Sequence, residues 1–173
     1  MTLLRYSLIL LLVTTIAACG FQLRGSQRAL NKSFSSVNLI ANGKDFSFYN
    51  AVKRGLADSG ISVNEGSINH LEIIGTQNQR RTASYSSRAK SAEFELIKTV
   101  VFQFSREDQR LIAPMKLEAR RSYLYRETAA VGKAEEENLL REEMDKDLAQ
   151  RILLAMQRVA DVQSEAAANE ITP

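Results

Sequence analysis

Cys19 is the only thiol in the 173 residues and His70 the only imidazole, so the side chains that most often serve as nucleophile and general base occur once each. They lie far apart in the chain, and neither has the neighbouring partner that thiol or imidazole catalysis requires. His70 reads as a strand-end residue near the surface. No GxSxG, HExxH or glycine-rich phosphate loop is present. Seven acids crowd one stretch, Glu135, Glu136, Glu137, Glu142, Glu143, Asp145 and Asp147. Consecutive acids point around a helix instead of converging on an ion, so a solvated helix start is expected there and no metal. The basic residues carry more weight. Arg88 and Lys90 sit in one serine-rich segment, and Arg126 and Lys133 flank another break in the pattern. Such tips can pair with phosphates or carboxylates, Arg through a bidentate fork and Lys as a point charge. The alternative is that they merely solvate their loops. Arg80 and Arg81, adjacent on a strand, point to opposite faces and make no single clamp. These residues describe a non-enzymatic protein with no cofactor.

The surroundings of Cys19 assign it a different chemistry. Arg5 supplies a positive start, residues 8–16 an apolar segment, and Ala17 and Ala18 small residues before a cut, the layout of an export signal over residues 1–18. The run is too short to span a bilayer comfortably. A cysteine directly after such a cleavage region resembles the lipobox of bacterial lipoproteins, whose thiol receives a diacylglyceryl group and whose new amino terminus is acylated, commonly with palmitate. Cys19 is then the lipidation site and a membrane anchor. Gly20 follows it, where an aspartate would mark inner-membrane retention in such lipoproteins, so a lipid anchor on the periplasmic side of the cell outer membrane is expected.

Bulk composition bounds the rest. Residues 19–173 have the length of one ordinary domain. With 45% apolar and 25% charged residues and two prolines, the chain is of a globular class. With a single cysteine it forms no disulfide within itself. The formal charge is +3, or +2 once Arg5 departs with the signal, yet it is unevenly spread. Residues 80–133 hold twelve Lys or Arg against six Asp or Glu, whereas residues 135–147 hold seven acids against Arg141 and Lys146. A positive patch outside the cytoplasm has anionic lipid or saccharide as its partner; nucleic acid fits the charge but not the compartment.

The elements that must position these residues follow from periodicity. Residues 19–35 are polar, a lipidated N-terminus and tether. Val37, Leu39 and Ala41 alternate in a first strand. Phe48, Val52, Leu56 and Ala57 are spaced as one helical face, with Asp45 or Ser47 to cap its start and Gly60 to end it. Ile61 and Val63 suggest a short strand, and residues 70–85 a longer one. Residues 94–105 are the clearest strand, Phe94, Leu96, Val100, Phe102 and Phe104 sharing a face that only Lys98 interrupts. Residues 111–126 follow, with Pro114 suited to an edge. Leu140, Met144, Leu148, Ile152, Ala155 and Val159 mark the last helix. The expected fold is α+β: a two-layer αβ sandwich, a mostly antiparallel four-stranded sheet with two helices on one face, in a single domain over 36–162 with a flexible tail at 163–173. The other sheet face, with Ile74, Ile97 and Val101 beside Thr99 and Gln103, is apolar enough in places to suggest that something docks on it.

Three stretches together resemble the lipopolysaccharide-assembly lipoprotein family LptE: residues 19–24 (CGFQLR), residues 82–94 (TASYSSRAKSAEF) and residues 121–138 leading into the last helix. The resemblance spans nearly all of the chain after residue 18, and the order of elements agrees. It implies a small αβ sandwich that plugs the lumen of the outer-membrane β-barrel LptD, assists its assembly and binds lipopolysaccharide. It further implies that the basic residues near the tips, Arg88, Lys90, Lys133 and Arg126, meet the phosphorylated lipid A region. Lys133 matches a basic position before the family's last helix, and Arg88 falls one residue from the family's other one. The acidic helix start departs from a simple anion-binding picture unless its acids face away. A second reading is a lipoprotein scaffold of another envelope assembly, for barrel insertion or peptidoglycan contact.

Overall fold

The alternating run around Phe102 becomes the centre of a sheet whose neighbours are recruited by two helices. The computed structural model describes residues 33–43, 45–85, 91–126 and 130–170, of which 85, 91–92, 126, 130–131 and 167–170 are described by backbone alone. In chain order the elements are β1 (Ser36–Ala41), α1 (Phe46–Asp58), β2 (Ser62–Val63), β3 (Asn69–Tyr85), β4 (Ser91–Arg106), β5 (Gln109–Arg126) and α2 (Ala130–Glu170). The strands line up as β2-β1-β3-β4-β5.

The sheet therefore has five strands rather than the four expected, and it is mixed. β3, β4 and β5 form two long antiparallel ladders. β1 pairs parallel with both β2 and β3. The α1 crossover explains the β1–β2 direction, because a helix returns the chain to the end where the first strand began. β2 is two residues long, too short for periodicity to count as a strand of the sheet. Helix α2 continues to Glu170, through most of the stretch at 163–173 expected as a flexible tail.

Local chemistry sets the ends of α1. The Asp45 side chain accepts the Phe48 N–H at 3.1 Å, satisfying one of the first-turn donors. Gly60, at φ 75°, takes the left-handed conformation that turns the chain out of the helix toward β2. Both helices lie on one sheet face. α1 buries Phe48, Val52 and Leu56, α2 buries Met144, Leu148, Ile152 and Met156, and β4 meets them with Leu96, Val100, Phe102 and Phe104. Phe34 closes one end of this core, edge-on to Phe104 with ring centroids 5.0 Å apart. Pro114 lies in β5, the outer strand, where a missing N–H disturbs no ladder on the solvent side.

The opposite sheet face is polar and not a continuous apolar patch. Glu72 accepts from Asn42 and from Gln103, each at 2.6 Å, His70 lies 3.4 Å from Asn38, and Arg81 and Arg120 both pair with Glu95. Ile97 is only 8% exposed there, in register with the long side chains of Gln79 and Arg120, and Ile74 and Val101 are half-buried. Alternation showed which residues share that face, but not how thoroughly their polar neighbours cover the apolar ones.

The two helices approach closely at Gly55, where an added Cβ would lie 2.8 Å from Leu153 Cδ1. Gly55→Val is expected to lower unfolding free energy by about 1–3 kcal/mol through overpacking. Gly55→Ala should stay near neutral, as the helix propensity it gains offsets a small shift of Leu153. Urea denaturation of both variants checks this, and a Gly55→Val protein as stable as the parent would contradict the close packing.

Candidate functional site at the distal end of the sheet

β1 accompanies β3 only as far as Ile73, so beyond that point β3, β4 and β5 continue as a three-stranded extension, the distal end. Two polar centres organise the helices over this boundary. The first surrounds Lys98, the residue that interrupts the apolar face of β4. Lys98 is 4% exposed and pairs with Asp45 at 2.8 Å and with Asp145, itself 3% exposed. Ser47 donates to Asp145 at 2.7 Å, Asn78 donates to Asp45 at 3.3 Å, and the ammonium lies 5.1 Å from the Phe48 ring centroid. Burial would raise the Asp45 carboxyl, but the Lys98 ammonium and the capped Phe48 N–H together hold it below its ordinary value. One ammonium thus ties the start of α1 and the middle of α2 to β4.

The second centre lies farther out. Glu137 on α2 accepts from Arg80 at 3.2 Å, from Arg141 at 3.0 and 2.6 Å, and from the Tyr123 hydroxyl. The Arg80 guanidinium sits 4.9 Å from the Phe94 ring centroid, and Phe94 contacts Tyr123 and Tyr125 at centroid distances of 5.7 and 5.9 Å. Burial works to raise Glu137, yet the Tyr123 hydroxyl and the two guanidinium groups bring its carboxyl below the usual range. Burial, with Glu137 beside it, pushes the Tyr123 hydroxyl up. Neither centre pairs a nucleophile with a base; both hold ionised carboxylates against cations, an arrangement suited to binding and positioning.

Among the sequence-derived candidates, Arg126 falls at this end. Cys19, Arg88 and Lys90 lie outside the described residues. Arg126 is the last residue of β5, and its backbone is in register with Ser91, one residue past Lys90. The outermost pairs of the two ladders, Tyr85 with Ala92 and Ser91 with Arg126, therefore lie at one end of the sheet. Lys133 is on α2, its side chain 22% exposed and paired with Glu136. His70 packs against Asn38 at the opposite end of β3. Arg80 and Arg81 do point to opposite faces, one to Glu137 and the other to Glu95. The acids of α2 form the solvated helix start expected only in part, with Glu135, Glu142 and Glu143 exposed. Glu137 and Asp145 face inward, while Glu136 and Asp147 pair with Lys133 and Arg151. Helical spacing turns some members of any acidic run toward the sheet, and each one turned inward met a cation. The signal for the Lys98 centre was present in the sequence as a single lysine within an apolar face; the identity of its partners was not.

Among the described residues no three His, Cys, Asp or Glu side chains come together as metal ligands, and no helix is long and apolar enough to cross a membrane. The chain matches the family model LptE, lipopolysaccharide-assembly, over residues 32–156. It is also similar to solved structures. The crystal structure of rare lipoprotein B from Shewanella oneidensis is 27% identical with a TM-score of 0.64, the match covering 75% of this chain and 98% of that one. A lipoprotein B from Nitrosomonas europaea, solved by solution NMR, is 25% identical with a TM-score of 0.64 over 84% of this chain and 93% of that one. A minor lipoprotein from Acinetobacter baumannii is 25% identical with a TM-score of 0.60 over 72% and 92%.

Removing Lys98 leaves the buried Asp145 charge without its cation, so Lys98→Met alone is expected to cost about 3–5 kcal/mol. Lys98→Met combined with Asp145→Leu should recover most of that loss; a double variant no more stable than the single would show that the ions are not coupled. The pH dependence follows from the lowered carboxyls. Asp45 and Glu137 lie below their unfolded values when folded, so their stabilisation is complete above about pH 4 and is lost as pH falls through that value toward the lowered ones. Denaturant midpoints followed from pH 7 to pH 3 should decline across the acid end, and less steeply for Glu137→Gln.

Proposed function

Since this chain belongs to the LptE lipopolysaccharide-assembly family, we propose that it is a non-enzymatic outer-membrane lipoprotein, anchored through Cys19, that plugs and helps assemble the LptD barrel and binds lipopolysaccharide. The observation that carries this reading is the extent of the family match: residues 32–156 run from the start of the core through all five strands to Met156 of α2. A match of that reach describes the whole sandwich and not one motif.

The polar sheet face supports the plug. A barrel lumen is lined by polar residues and water, and a face that presents Glu95, Arg81, Arg120, Glu72 and Gln103 in paired hydrogen bonds can lie against such a wall without burying unpaired groups. The register of Ser91 with Arg126 at the outer end of the sheet supports ligand contact at the distal end, with Arg88, Lys90, Arg126 and Lys133 meeting anionic groups of lipopolysaccharide. Lys133 enters that reading as a paired cation, which must exchange Glu136 for the ligand.

Purification of the tagged full-length protein from its native envelope in mild detergent should retain one large β-barrel in near equal amount. Recovery instead with peptidoglycan or with several envelope proteins would favour the scaffold reading. Arg88→Asp with Lys133→Asp is expected to weaken lipopolysaccharide binding about tenfold, since each exposed charge contact contributes up to about 1 kcal/mol. The fold should be unaffected, and unchanged binding would remove these residues from the site. Cys19→Ser, exported behind an ordinary signal, should appear in the soluble periplasmic fraction.

A further inference from the structure

The two halves of α2 are held to the sheet by different forces. From Met144 onward the helix buries Met144, Leu148, Ile152 and Met156. Across residues 132–143 no residue is buried, and Leu139 is 53% exposed. What fastens that segment is Glu137, held by Arg80 and Tyr123 from the sheet and by Arg141 from its own helix, together with partly buried Leu140. Beneath it the sheet is the more apolar partner: Tyr123 is 5% exposed and stacks with Phe94, which is flanked by Tyr125. A segment with little buried apolar area, attached by a few partly exposed ionic contacts, opens at much lower cost than the helix it extends. Lys98 and Asp145, buried beside Met144, mark where the firm attachment begins.

We infer that residues 132–143 form a strap, pinned by Glu137 over a Phe94–Tyr123–Tyr125 platform, which opens onto a site for a phosphate or carboxylate carried on an apolar body. Glu137 is the internal occupant of that site. When it withdraws with the strap, Arg80 loses the one ion-pair partner it has among the described residues and its guanidinium faces the space beside the aromatic rings, while Arg141, on the strap itself, stays beside Glu137. The charge of Arg80 matches an oxyanion, and the rings match an apolar chain attached to it. The inference rests on the proposed function only in taking the distal end as the ligand-binding end.

Hydrogen exchange on the full chain tests the strap without any ligand. In Glu137→Gln the amides of residues 132–143 should exchange at least about tenfold faster, while those from Met144 to Met156 stay as in the parent. Glu142→Gln, the same charge change at an exposed position, should leave both segments unchanged. Equal exchange in the two variants, or acceleration running through Met156, would overturn the strap. Titration calorimetry with monohexyl phosphate tests the site: Glu137→Gln should bind it at least about tenfold more tightly than Glu142→Gln, and more tightly than it binds inorganic phosphate or hexanol. Equal affinity of the two variants would overturn the site, as would hexanol or phosphate alone binding as well as the hexyl ester. None of these readouts uses the barrel or lipopolysaccharide, so a failed co-purification would count against the proposed function and leave the strap standing.

Discussion

A buried ammonium constrains this fold more than any apolar contact does. Lys98 is almost wholly buried, so its charge must be met inside the protein, and it is met by carboxylates from both helices, Asp45 at the start of α1 and Asp145 in the middle of α2. Apolar side chains tolerate sliding and repacking; a buried charge does not, because a carboxylate displaced from it forfeits several kcal/mol. The positions of α1 and α2 along β4 are therefore set at one point, and the hydrophobic layers of Phe48, Leu148 and Val100 pack outward from it.

That point is also a boundary. On one side the sheet has five strands under two helices; on the other, β3, β4 and β5 run on under α2 alone. Helix α2 is about 60 Å long at 1.5 Å per residue, enough to serve both sides, but its means of attachment changes where it crosses Asp145. Dry packing holds the half nearest α1. Ion pairs and tyrosine hold the distal half. A rigid base with a more loosely fastened end is consistent with the proposed function, in which one part is seated in a barrel and another contacts a ligand.

Electrostatics divides the surface in the same way. The exposed sheet face neutralises itself, its arginines and glutamates paired across strands, so it presents hydrogen-bonding capacity with little net charge. The acids of α2 that could have repelled an anion from the distal end are partly spent internally, Glu136 on Lys133 and Glu137 on Arg80 and Arg141. The formal charge count of that helix therefore overstates the repulsion a ligand would meet.

The sequence by itself determined which residues could share a face, because side-chain direction follows from backbone period alone: the α+β class, the alternation of β4, the Asp45 cap, the Gly60 exit and the inward stripe from Met144 to Val159 all rest on local geometry. It also marked Lys98 as an exception within an apolar face. It left undetermined what lies across each interface, since partners far apart in the chain are brought together only by packing. The fifth strand, the parallel pairing of β1, the inward turn of Glu137 and Asp145 within an acidic run, and the polar cover over Ile97 were decided by the tertiary structure. There the cost of leaving a buried charge or hydrogen bond unmet selects one arrangement from many that the local pattern allows.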